Sequence, residues 1–300
     1  GHLIDLLQAI FRHPYLKDRL VLKGGTALNL FLLDLPRLSV DIDLNYIGAL
    51  DRETMLAERP EVDRALQAVF KRQDLEVRRL PGEHAGGKWR LSFARVEGGR
   101  GALEVDLNFL MRIPLWAPQR RDSPPMLGGL AAGIPVVDLH ELAAGKLAAL
   151  FSRTAARDLF DTVNILSHRE LDPALLRPAF VVSGAMSRRD WRDLRIEDAA
   201  MDPRDVAQKL LPMLRSTHAP APSRLSDWCK RLVGECRELL GGVLPLKQAE
   251  LEFLERINGQ GDIRPDLLTG DPALQERLRH HPALHWKAQN VRRHLAGGSR

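Results

Sequence analysis

Alternation of apolar and polar residues with a period of two stops at about residue 110, and beyond residue 136 apolar positions recur only at helical spacing. The alternating stretches 40–46, 75–80, 88–95 and 102–110, with a short apolar run at 20–22, predict five strands. Helices are expected between them at 3–11, where Leu3, Leu6, Leu7, Ile10 and Phe11 share a face, at 27–33, closed before Pro36, and at 53–73. The glycine-bearing stretches 82–87 and 98–101 predict hairpin turns, and the Pro- and Gly-rich stretch 116–135, which has no period, predicts a boundary or crossing loop. Thereafter helices are expected at 138–151, opened by the capping-box form Asp138-Leu139-His140-Glu141, and at 156–167, 173–182, 203–211, 225–240, 247–258 and 282–294, with a proline-bearing linker at 218–223. A sheet with helices followed by helices alone is an α+β organisation, here of two domains, 1–135 and 136–300.

Three hundred residues suffice to bury a core without covalent staples. A hydrophobic fraction of 44% and a charged fraction of 28% exclude a disordered chain. No apolar run approaches a bilayer span, and the chain opens on helical residues rather than a cleavable leader, so a soluble protein of the cytoplasm without membrane contact is expected. The two cysteines, Cys229 and Cys236, lie on one expected helix without metal-ligand spacing and read as reduced and structural. The net charge of +5, with pI about 9.5, is carried mostly by arginine and is compatible with a polyanionic partner.

Three patterns carry chemistry. In Asp41-Ile42-Asp43 residues i and i+2 share a strand face, which projects both carboxylates together, an arrangement that a divalent cation relieves of its repulsion. Lys23-Gly24-Gly25-Thr26 lies between a strand and a helix, where paired glycines let backbone amides approach an anion; a tight turn is the structural alternative. In Glu104-Val105-Asp106-Leu107-Asn108 a further carboxylate shares one strand face with its polar neighbours, and a solvated strand face is the plain alternative. Ser39 precedes the aspartates by an even spacing and is placed on the same face, as a phosphate contact or an ordinary strand serine. The histidines, among them His280, His281 and His285, lack companion ligands at metal spacing and read as surface or packing residues.

A glycine pair, a helix, an Asp-hydrophobic-Asp strand and a later strand acid together resemble the nucleotidyltransferase superfamily. More narrowly, Lys23 to Leu28, Arg37-Leu38-Ser39-Val40-Asp41-Ile42-Asp43-Leu44, Asp106-Leu107-Asn108 with Arg112, and Lys146-Leu147-Ala148-Ala149-Leu150 with Arg153, Arg157, Asp158 and Asp161 resemble the AbiEii/AbiGii family of nucleotidyltransferase toxins. The segments 263–268 and 281–288 share that resemblance, which spans nearly the whole chain; its one expected departure is an amino terminus without the helix or two usual before such a turn.

The resemblance implies a nucleotidyltransferase-fold mixed sheet with helices and a helical carboxyl-terminal domain completing a cleft for NTP and acceptor. It implies an Mg²⁺-dependent toxin of a toxin-antitoxin or phage-defence pair, with a cognate antitoxin, moving a nucleoside monophosphate from an NTP to the 3′ end of tRNA or another RNA. Asp41, Asp43 and Asp106 would hold metal, with Glu104 as the alternative third acid, and Lys146 and Asp158 would join them in catalysis. Lys23, Gly24, Gly25, Thr26, Ser39, Lys146 and Arg153 would bind the nucleotide, and Asp158 would orient Lys146 or Arg157. A small-molecule or protein hydroxyl is the rival acceptor, and a non-catalytic RNA-binding protein on the same fold the rival class.

Overall fold

The computed structural model describes residues 2–33, 35–37, 39–79, 86–95, 98–125 and 129–297. The chain forms two compact units, 1–34 with 39–138, and 35–38 with 139–300. The short segment 35–38 thus belongs with the helical unit although it lies in the first part of the sequence.

The first unit is built on a seven-stranded mixed sheet. Its strands are β1 (Leu20–Lys23), β2 (Ile42–Tyr46), β3 (Glu76–Arg79), β4 (Gly86–Ala94), β5 (Arg100–Asn108), β6 (Gln119–Arg121) and β7 (Ile134–Val136), in the spatial order β3-β4-β5-β2-β1-β7-β6. The β2–β5 and β1–β7 pairs are parallel and the others antiparallel. Helices α1 (His2–Arg12), α2 (Gly24–Ala27) and α3 (Arg52–Arg72) accompany it. Asp51 caps α3 by accepting from the Thr54 amide at 2.8 Å.

Strand alternation separates the sheet into an apolar and a polar face. Ile42, Val105 and Trp89 form one in-register row of the apolar face, and Leu22, Leu44 and Leu107 another, all fully buried. Trp89 meets Phe70 of α3 edge-on, with ring centroids 5.9 Å apart. Fully burying each such side chain stabilises the unit by about 1.5–3 kcal/mol, which fixes the register, because a one-residue slip would turn these side chains outward and the acids inward.

Four features differ from the sequence expectation. The helix after β1 opens at Gly24, so both glycines are its first residues rather than a turn before it, and it runs on as a wide π turn over Leu28–Leu32. Strand β2 begins at Ile42, which leaves Ser39 and Asp41 in the approach to the strand, so even strand spacing does not place them. Gly86 and Gly87 pair within β4, whereas the rest of the expected turn, 81–85, lies outside the described residues. Finally, β6 and β7 occupy the expected loop 116–135; at three residues each they carry no readable period, and Pro135 argues against a strand on sequence grounds.

The second unit consists of α4 (Leu139–Arg153), α5 (Ala156–Leu166), α6 (Pro173–Ala185), α7 (Pro203–Asp205, continued by a π turn over Val206–Leu210), α8 (Leu225–Leu240), α9 (Gln248–Gln260), α10 (Pro272–Arg279) and α11 (Pro282–Gly297). Asp172 and Asp271 cap α6 and α10 by accepting from the amides of Ala174 and Ala273. Phe151, Phe180 and Trp191 form a buried aromatic cluster, and Arg177 of α6 holds Glu250 of α9 through two bonds of 2.7 and 2.9 Å. Helix α10 was not expected, since its eight residues are too few to show a helical period. Cys229 and Cys236 are free, buried thiols. Among the described residues no helix is long and apolar enough to cross a membrane.

Candidate active site

On the polar face of the sheet the in-register partners of Asp43 are Lys23 on β1 and Asp106 on β5, and Asp106 in turn pairs with Lys88 on β4. Directly paired residues share a face, so Lys23, Asp43, Asp106 and Lys88 form one row across four strands, acids in the middle and a lysine at each end. Two carboxylates held on adjacent positions of neighbouring strands repel one another unless cations intervene. Parallel β2 and β5 bring them together because Ile42 and Val105, one residue earlier on each strand, pair on the apolar side.

The glycine pair adjoins this row. Gly24 has φ +77°, a conformation glycine adopts without steric cost, and a Cβ built on it would lie 2.1 Å from Oδ2 of Asp43. The Asp43 carboxylate therefore lies over the backbone that opens α2, whose first amides have no intrahelical acceptor. Thr26 is fully buried, and its hydroxyl donates to the Asp41 carbonyl at 2.5 Å. Ser39 Oγ lies 3.2 Å from Thr26 Oγ1 and is half-buried, so Thr26 ties both the serine and the Asp41 backbone to α2. The Thr26 side chain is thus a brace between α2 and the approach to β2.

Lys88 is the residue that sequence reasoning left out. Its Nζ lies 2.6 Å from Glu104, which also accepts from Arg90 at 2.7 and 3.0 Å. The bond to Glu104 raises the Lys88 pKa, and the charges of Asp106 and Asp41 add to the rise, so both aspartates act on this ammonium. Lys88 and Arg90 hold the Glu104 carboxyl below the usual range. Glu104 is thereby engaged by two cations, whereas Asp106 stands in register with Asp43, which favours Asp106 over Glu104 as the third acid.

Among the described residues no three of His, Cys, Asp and Glu gather into a ready-made metal cluster. The donor set suits Mg²⁺ nonetheless, because that ion takes one or two carboxylates and completes its shell with substrate phosphates and water. The in-register Asp43 and Asp106, with Asp41 near enough to act on the same lysine, supply hard oxygen donors of that kind.

In the helical unit, Lys146 of α4 lies 2.9 Å from Asp161 and 3.7 Å from Asp158, both fully buried on α5. Asp161 accepts two bonds of 2.5 Å from Arg37, and Asp158 accepts bonds of 2.5 and 2.9 Å from Arg153. Burial pushes the Asp161 carboxyl up, but Lys146 and Arg37 overcome it and hold the pKa below the usual carboxylate range. Asp158 does face Lys146, though its bidentate partner is Arg153. Lys146 is therefore a fixed charge, held by two buried acids at one-eighth exposure. Arg37 and Asp161 stood among the motif residues without a role; their pairing joins positions 124 apart, which no local pattern reveals.

A mixed sheet with paired acids beside a glycine-opened helix, followed by a helical unit, defines a nucleotidyltransferase type of fold. The structure is similar to that of MenT4, a nucleotidyltransferase toxin from Mycobacterium tuberculosis H37Rv, with a TM-score of 0.54 over 97% of this chain and 92% of that one at 22% identity. The family model for the nucleotidyl transferase AbiEii toxin of type IV toxin-antitoxin systems matches residues 5–231, and the chain belongs to that family. It is a nucleotidyltransferase of the AbiEii toxin type. A comparison with curated proteins returns no match.

Proposed function

We propose that this protein transfers a nucleoside monophosphate from an NTP to a hydroxyl at the 3′ end of tRNA or another RNA, releasing pyrophosphate and acting as a cytoplasmic toxin held in check by a cognate antitoxin. The observation that carries the reading is the in-register pair Asp43 and Asp106 beside Gly24. The net positive charge supports a polyanionic acceptor over a cationic small molecule.

Asp41, Asp43 and Asp106 would hold Mg²⁺, which supplies charge neutralisation of the triphosphate and a lowered pKa for the acceptor hydroxyl. The amides of Gly24, Gly25 and Thr26 at the start of α2 would donate to phosphate oxygens, with Lys23 and the Ser39 hydroxyl beside them. The acceptor oxygen forms a bond to the α-phosphorus as the bond to the bridging oxygen breaks, and the electron pair leaves with pyrophosphate. An oxygen of Asp106 takes the acceptor proton. By the family resemblance Lys146 and Arg153 would contribute cationic charge to nucleotide binding, with Asp158 orienting them.

Incubation of the protein with total RNA, Mg²⁺ and each labelled NTP in turn tests the reading. Label in an RNA band that depends on one nucleotide is expected. Label confined to protein or small-molecule fractions would replace RNA as the acceptor.

A further inference from the structure

The row of acids does not end the polar face of the sheet. Along β4 the residues sharing a face with Lys88 are Arg90 and Ser92, and along β5 those sharing a face with Asp106 are Glu104, Ala102 and Arg100. Ser92 lies buried under two guanidiniums, accepting from Arg78 of β3 at 3.1 Å and from Arg100 at 2.5 and 3.2 Å. Arg78 and Arg100 both pair with Glu76. Lys88, Arg90, Arg78 and Arg100 therefore stand on one face, where Glu76 and Glu104 lie among them and Asp106 stands at the end of the stretch in register with Lys88. All four cations remain 44–59% exposed, so their unspent N–H donors face solvent.

We propose that this face of β3, β4 and β5 is the track for the RNA acceptor strand, whose phosphates lie along Lys88, Arg90, Arg78 and Arg100 while its terminal hydroxyl rests at Asp106. The proposal rests on RNA being the acceptor. From Asp106 to Arg100 is six residues of extended strand, about 20 Å at about 3.4 Å per residue, enough for several nucleotides. The direction follows from the row itself: Gly24 and the opening of α2 lie on the β1 side of the acids, where the triphosphate is assigned, and the basic stretch lies on the β5 and β4 side, left for the acceptor. The guanidiniums offer forked donors matched to phosphate oxygens. None of the named residues carries an aromatic ring, so the contact they make reads the backbone, tolerates sequence and depends on salt.

The test combines Arg78→Gln, Arg90→Gln and Arg100→Gln in one protein and Arg78→Lys, Arg90→Lys and Arg100→Lys in another. Binding of end-labelled single-stranded RNA with a free 3′ hydroxyl is followed between about 50 and 200 mM salt, and binding of a non-hydrolysable NTP analogue is measured beside it. The glutamine variant is expected to bind RNA at least tenfold more weakly, with the slope of log affinity against log salt reduced by about 2, and to bind the NTP analogue like the parent. The lysine variant should keep RNA affinity and slope near parental values. Parental RNA affinity and slope in the glutamine variant would overturn the proposal while leaving RNA as the acceptor. Failure of the parent itself to bind RNA or to label it would instead overturn the RNA reading, and the track with it.

Discussion

The Asp43 carboxylate occupies the place where a side chain on Gly24 would stand: a Cβ there would come within 2.1 Å of Oδ2. An alanine at this position meets two separate penalties, a φ of +77° that costs about 1–2 kcal/mol for an L residue, and displacement of an acid from the centre of the site. Gly98 separates the two, since it has φ +90° but open space around its Cβ position. Both Gly24→Ala and Gly98→Ala should therefore lower the unfolding midpoint slightly, whereas only Gly24→Ala should abolish nucleotide transfer. Equal activity in the two variants would mean that Asp43 is not required where it stands.

The acids Asp41, Asp43, Asp106 and Glu104 should divide into two classes. Asp41→Asn, Asp43→Asn and Asp106→Asn are expected to lower kcat by three decades or more, roughly 4 kcal/mol of barrier, with the melting curve retained. Glu104→Gln should cost far less in turnover, because Glu104 is bonded to Lys88 and Arg90. A loss with Glu104→Gln as large as that with Asp106→Asn, measured as single-turnover rates at saturating NTP, would exchange their assignments.

These two acids show how far sequence reaches. Alternation in Glu104 to Asn108 places Glu104 and Asp106 on one face, but only cross-strand register tells which of them meets Asp43, and register is decided by apolar rows such as Ile42, Val105 and Trp89, distant in sequence. Lys88 escaped notice for the same reason, since a strand lysine reads as a solvated residue until its partner is known. The helix start at Gly24 was hidden by the low helix propensity of glycine. Long amphipathic elements such as α1 and α8 were legible because their periodicity is local and burial enforces it.

Lys146 is held by Asp161 at 2.9 Å and faces Asp158 at 3.7 Å. If it carries phosphate charge as proposed, Lys146→Ala raises the KM for NTP and lowers kcat together, because the charge acts in binding and again as pyrophosphate departs. Lys146→Arg should recover part of the binding, since the charge is kept and its geometry changed. Steady-state kinetics at a temperature well below the variant's melting point checks this, and parental constants in Lys146→Ala would confine the lysine to holding the two helices together.

The Arg37 and Asp161 pair is almost wholly buried, so its loss is a matter of stability. Arg37→Leu strands a buried carboxylate beside Lys146 alone and should cost about 3–5 kcal/mol in denaturant unfolding. The same pair makes stability depend on pH. In the unfolded chain the Asp161 carboxyl titrates near about 3.9, whereas Lys146 and Arg37 hold it lower in the folded protein. Below that unfolded value the unfolded chain takes up the proton first, so the contribution is complete above about pH 4 and is lost as pH falls through the depressed folded value. Asp161→Asn removes this titration. Urea midpoints followed from about pH 5 to pH 2 should therefore fall more steeply for the parent than for Asp161→Asn, and parallel curves would show that Asp161 is not held ionised by its two partners.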